Sequence, residues 1–129
     1  MTMPRETGAE GDLRRLRTIY RALGDETRLK IIGLLAEVGP LPVNALSARV
    51  GLSQPLISWH LRILRLAELI DTRRQGREVI CQLRTAAFEE LHEAEAHLIG
   101  GTIGIDAATA APGADDRSVA QGGEVPDVG

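Results

Sequence analysis

The apolar residues of this chain change their spacing after Leu69 and again after Leu83. Up to Leu69 they recur every three or four positions, as on one face of a helix; from Ile70 to Leu83 they alternate with polar residues, as on one face of a strand. Gly76 sits inside the alternating stretch, where it can take the positive φ that a tight hairpin demands. The order helices, then hairpin, restricts the fold to a small α-rich domain carrying a two-stranded ribbon. Only 2% of the residues are aromatic, so the core has to be built from Leu, Ile, Val and Ala, and no aromatic-lined cofactor pocket is expected.

The punctuation of the helical part is local and explicit. Asp12 is placed to cap a first helix bearing Leu13, Leu16, Ile19, Tyr20 and Leu23 and ending at Gly24. Asp25 is placed to cap a second, stopped by Gly39-Pro40. Leu41-Pro42 reads as a linker into a short helix over 43–50, and Gly51 makes a turn. Ser53 then caps a fourth helix with Pro55 in its first turn and Ile57, Leu61, Ile63, Leu64 and Ala67 inward. A last helix is expected over about 85–99, with Phe88, Leu91, Glu95 and Leu98 near one side. Residues 1–11 read as a disordered polar segment, 12–100 as the folded domain, and 101–129 as a flexible, acidic Gly/Ala-rich tail.

Several function classes drop out. No apolar run approaches the roughly 18 residues that span a bilayer, and the first residues lack the apolar stretch of an export signal, so a soluble cytoplasmic protein without a membrane partner is expected. The single cysteine, Cys81, excludes an intramolecular disulfide and a multi-cysteine zinc site; it reads as a small buried apolar residue, with a redox role as the alternative. There is no Gly-rich phosphate loop and no HExxH, so no enzyme is expected.

The net charge of −3 conceals a polarity. Residues 13–84 hold 13 Lys and Arg against 6 Asp and Glu, whereas 85–129 hold 1 against 9. A basic middle dominated by arginine suits an anionic partner, with solvated helix faces as the plainer alternative. The short helix, Gly turn and capped longer helix form a helix-turn-helix, whose second helix fits the major groove of DNA. On it Gln54 and Ser58 are the candidate base readers. Ser53, Pro55 and Arg62 lie in the same contact region, Trp59 can pack on a sugar or a thymine methyl, and His60 is either a phosphate contact or a histidine hydrogen-bonded beside the core. Arg73, Arg74 and Arg77 at the ribbon tip would hold the backbone or minor groove, or merely protect the ribbon edge by charge.

The run Arg21-Ala-Leu-Gly-Asp-Glu-Thr-Arg-Leu-Lys-Ile-Ile32, Leu46, the run Leu52-Ser-Gln-Pro-Leu-Ile-Ser-Trp-His-Leu-Arg-Ile-Leu64, and Gly76 in the wing together resemble the ArsR/SmtB family of winged-helix repressors. The resemblance covers about residues 13–99. It implies a homodimer, built mainly by the first and last helices, that binds an imperfect palindrome in double-stranded promoter DNA and is released by an inducer, often a metal ion. Leu13, Leu16, Ile19, Tyr20, Phe88, Leu91 and Leu98 are the candidate dimer residues, because a unit under 90 residues cannot readily bury that much apolar surface alone.

The chain departs from the metal-sensing members of that family. Pro42-Val-Asn44 stands where arsenic- and cadmium-type sensors carry Cys-x-Cys, and of the zinc-type ligand positions, Thr85, Ala87, His97 and Gly100, only His97 can ligate. No metal and no cofactor are therefore assigned. Two rival functions stay open: a winged-helix module that binds protein rather than DNA, and a metal sensor using His92 and His97 with Glu93 or Glu95 across a dimer.

Overall fold

The computed structural model describes residues 8–101. Five helices, α1 (Gly8–Leu23), α2 (Glu26–Val38), α3 (Val43–Val50), α4 (Gln54–Leu66) and α5 (Thr85–Ile99), are combined with three short strands, β1 (Leu41–Pro42), β2 (Ile70–Gln75) and β3 (Glu78–Leu83). The fold is a winged helix-turn-helix, mainly α, with the β2–β3 ribbon as the wing. Its core is aliphatic: Ile19, Ile31, Leu46, Ile57, Leu64, Leu69 and Ile70 are almost completely buried and come from both the helices and the root of the wing.

Two helix starts, those of α2 and α4, are capped by side chains that satisfy orphan backbone groups, and glycines end α2 and α3. Asp25 caps α2 by accepting from the Arg28 N–H at 3.1 Å. Gly39, at φ +100°, ends that helix and donates to the Leu35 carbonyl. Ser53 caps α4 by accepting from the Leu56 N–H, and Gly51 occupies the left-handed region at φ 83° to turn α3 into α4.

Three elements differ from the sequence expectation. Helix α1 is already helical at Gly8, so Asp12 is inside it rather than its cap. Glu10 favours the first turn through the helix dipole, and Gly11 costs only about 1 kcal/mol within a helix, too little to stop it. The expected tail lies outside the described residues apart from Gly101, as do residues 1–7 of the expected N-terminal segment.

Leu41-Pro42 is not a linker but a strand: Leu41 stands opposite Cys81 and Pro42 opposite Ile80, which makes the sheet three-stranded in the order β1-β3-β2. Two residues are too few to show an alternation, and proline, lacking an N–H, is tolerated because β1 is an edge. Finally, Glu68 takes φ 63° after α4, a conformation that favours glycine. It is held there by Glu68 N–H to Arg65 O, Leu69 N–H to Leu64 O at 3.0 Å, and Arg84 donating to the Glu68 carbonyl at 3.2 Å.

Cys81 is fully buried, and burial pushes its thiol up to about 11 against an opposing pull from the Arg65 charge. The native protein should therefore resist iodoacetamide at mildly alkaline pH and be labelled only after unfolding in urea; rapid labelling of the folded form would contradict this placement. The linkage sign is fixed: the folded thiol holds its proton over a range where an unfolded one, near 9.0, has lost it, so this group's stabilisation is complete below that value and fades as pH rises toward 11.

Candidate nucleic-acid interface

Helix α4 presents three faces, which follow from 100° per residue. Ile57, His60, Leu61 and Leu64 point into the core. Gln54, Ser58, Arg62 and Arg65 form an exposed polar row, and Leu56, Trp59, Ile63 and Leu66 form a third, apolar stripe beside it. Arg65 continues the polar row by one turn and its charge reaches Cys81 of β3, so it belongs to the side where α4 meets the sheet. Sequence reasoning passed over it because it lies seven residues from Ser58, beyond the first turns.

The wing comes to the same side. Gln54 and Ser58 of α4 line one cleft of about 240 Å³ with Asn44 of α3 and Arg77, Glu78 and Val79 at the ribbon tip. Two of these, Asn44 and Glu78, were not foreseen; only the tertiary packing of α3 against the wing brings them in. Gln75 and Glu78 close the hairpin as a pair, leaving Gly76 and Arg77 as a two-residue turn. Gly76 alone of the two has positive φ, at 65°, the pattern of a type II′ turn.

Strand register divides the three wing arginines. Arg73 pairs with Ile80 and Arg74 with Val79. Adjacent strand residues point to opposite faces, so Arg74 shares the face of Val79, which lines the cleft, while Arg73 takes the other face. There Arg73 donates to Gln82 Oε1 and Gln75 Oε1, both at 3.3 Å. The structure therefore groups Arg77 with Gln54 and Ser58 in one cleft and puts Arg74 and Arg73 on opposite faces of the ribbon. Ser53 and Pro55 are exposed at the helix start.

His60 does not belong to this surface. It is 7% exposed, and its Nδ1 lies 3.2 Å from Arg28 NH1 and 3.8 Å from Asp25 Oδ2. The α4 period carries it inward with Ile57, Leu61 and Leu64, away from the polar row. Arg28, itself buried, donates through Nε to the Ala22 carbonyl at 2.6 Å and through NH2 to that of Arg21 at 3.5 Å. One guanidinium thus ties the last carbonyls of α1, the start of α2 and the middle of α4 together. For Arg28 NH1 to donate, His60 Nδ1 must be the unprotonated nitrogen. Trp59 is 55% exposed on the apolar stripe, edge-on to His60 at 5.0 Å between ring centres, with the Arg28 guanidinium 5.9 Å from its own.

The candidate dimer residues also divide. Leu16, Ile19 and Leu91 are buried in the protomer's own core, where α1 packs against α5, and offer nothing to a second copy. Leu13 and Tyr20 are exposed, Phe88 and Leu98 half-buried, and Ile99 is 84% exposed. Tyr20 donates to Glu95 Oε2 at 2.6 Å, and that hydrogen bond, followed by one from His92, holds the Glu95 carboxyl below its ordinary range.

Among the described residues no three His, Cys, Asp or Glu side chains are grouped to hold an ion, and His92 meets a single carboxylate, Glu95, at 3.4 Å.

The comparisons with known proteins agree with this geometry. The model of the bacterial regulatory protein, arsR family, matches residues 25–72, from the α2 cap through the helix-turn-helix into β2. The Bacillus subtilis transcriptional repressor SdpR is 32% identical over 75 residues, covering 58% of this chain and 82% of that protein. The chain belongs to the arsR family. The arsenical resistance operon repressor of Escherichia coli is 46% identical over 61 residues, which is 47% of this chain and 52% of that repressor. The chain thus spans about half the length of the Escherichia coli repressor. Among solved structures, an ArsR-like transcriptional regulator from Rhodococcus sp. RHA1 superposes with a TM-score of 0.63 at 26% identity, covering 70% of this chain and 84% of that one. These relatives are named as transcriptional regulators; none of the three is named as an enzyme. Among the described residues no helix is long and apolar enough to cross a membrane.

Proposed function

We propose that this protein is a homodimeric transcriptional regulator, a repressor, that binds a two-fold symmetric operator in promoter DNA and leaves it when an inducer binds. One observation carries the reading: Gln54 and Ser58, on the polar row of α4, line the same cleft as Arg77 of the wing. A helix in the major groove with Gln54 and Ser58 at base edges would bring Arg77 and Arg74 onto the adjacent backbone. The names of the family relatives support the repressor role. Exposed Leu13, Tyr20 and Ile99 supply apolar surface on α1 and α5 for a second copy, and two-fold symmetry would set the two α4 helices about one DNA turn apart.

Selection of bound fragments from random or genomic DNA tests this, a palindromic consensus being the expected result. With that consensus in hand, Gln54→Ala should cost about 1–3 kcal/mol of discrimination at one base pair of each half-site and leave nonspecific binding nearly intact. A uniform loss on all sequences, read by competition binding, would remove Gln54 from the base readers.

A further inference from the structure

Behind the reading face, α1 and α4 leave an open groove of about 450 Å³, within the size range of small-molecule sites. Its α4 wall is Ile63, Leu66 and Ala67, and Leu66 is 68% exposed, an unusual state for a leucine flanked by apolar neighbours. Thr18, Arg21 and Ala22 of α1 and Arg28 of α2 complete the lining, and no carboxylate takes part. Arg21 is exposed and makes no ion pair with a carboxylate among the described residues. An apolar wall beside two guanidinium groups, with no carboxylate in the lining, is complementary to one kind of small molecule.

The geometry points to this groove as the binding site of a small free monocarboxylate with an apolar chain, and to its occupation as a signal that reaches α4. The chain would lie on Ile63, Leu66 and Ala67, and the carboxylate would take the forks of Arg21 and Arg28. Guanidinium–carboxylate hydrogen bonds are charge-assisted and about twice as strong as bonds between two neutral groups, and the planar fork can engage both carboxylate oxygens. A carboxylate there competes with His60 Nδ1 for Arg28, and His60 is the point at which Arg28 holds α4. The binding half of this inference stands without DNA; the coupling half rests on the operator-binding reading above.

The test uses the full chain, with decanoate below its micellar concentration as probe and decanol as its uncharged counterpart. Trp59 is the only tryptophan and shares Arg28 with the groove, so its fluorescence reports occupation directly. Decanoate should change the emission saturably, with decanol binding about tenfold or more weakly, the equivalent of roughly 1.4 kcal/mol. Arg21→Ala and Leu66→Ser, both at exposed positions that leave folding intact, should each weaken decanoate by about tenfold, whereas Arg73→Ala should not. Equal affinity for decanol, indifference to both groove substitutions, or a signal that follows protein concentration rather than probe, as a second copy in the groove would give, overturns the site. Saturating decanoate should then weaken operator binding by the wild type and much less by L66S; unchanged operator affinity overturns the coupling while leaving both the site and the operator reading standing.

Discussion

Replacing Arg74 and Arg77 together by alanine is expected to weaken operator binding by about a thousandfold near 0.1 M salt, while Arg73→Ala alone costs far less. The asymmetry follows from strand register. Arg77 lines the cleft with Gln54, and Arg74 shares the ribbon face of Val79, which also lines it, whereas Arg73 is on the other face and engaged with Gln82 and Gln75. In a dimer the double substitution removes four charges from the interface. Each phosphate neutralised contributes about 0.9 to the slope of log K against log salt, so that slope should flatten by about 3 to 4. Titrations at several salt concentrations measure both quantities. An unchanged slope, or a loss from Arg73→Ala as large as that of the pair, would show that the wing does not approach the duplex with this face.

Arg28→Met is expected to lower stability by about 3 kcal/mol, a large share of the roughly 5–15 kcal/mol that a small domain possesses. The cost does not come from lost charge attraction. It comes from the Ala22 and Arg21 carbonyls and His60 Nδ1, which lose their donor, two of these three bonds being buried. His60→Leu in the Arg28→Met background should cost less than it does alone, since the shared hydrogen bond is already gone. Urea unfolding of the two single variants and the double variant measures this coupling. A loss within about 0.5 kcal/mol for Arg28→Met, or strict additivity with His60→Leu, would mean that the guanidinium is not the fastener of α4.

These two cases also mark the boundary of what was legible beforehand. Asp25, Gly39, Gly51, Ser53 and Gly76 each act on backbone groups within a few residues, so their roles can be read from neighbours in the chain. Arg28 cannot be read that way: its acceptors lie on two other helices, α1 and α4, and a buried arginine in an amphipathic pattern looks the same as an exposed one. His60 left two assignments open because its partner is 32 residues away. Leu16, Ile19 and Leu91 show an apolar face correctly but not what covers it; α1 and α5 cover each other there before any second copy is considered. The wing arginines were recognisable as a group, but their division between two faces depends on pairing register, which a run of three charges around a glycine does not announce.

The two-residue strand β1 has a kinetic consequence. The β2–β3 hairpin joins neighbours and can form within about 1–10 μs, yet a two-stranded ribbon alone is marginal in water. Its third strand comes from about 40 residues earlier, where Leu41 meets Cys81, and the intervening chain contains both α3 and α4. Closing so long a loop before those helices have condensed is unfavourable. The ribbon therefore acquires its lasting shape only as the helical nucleus assembles, and whatever loosens the first turn of α3 will be felt at a tip more than thirty residues downstream.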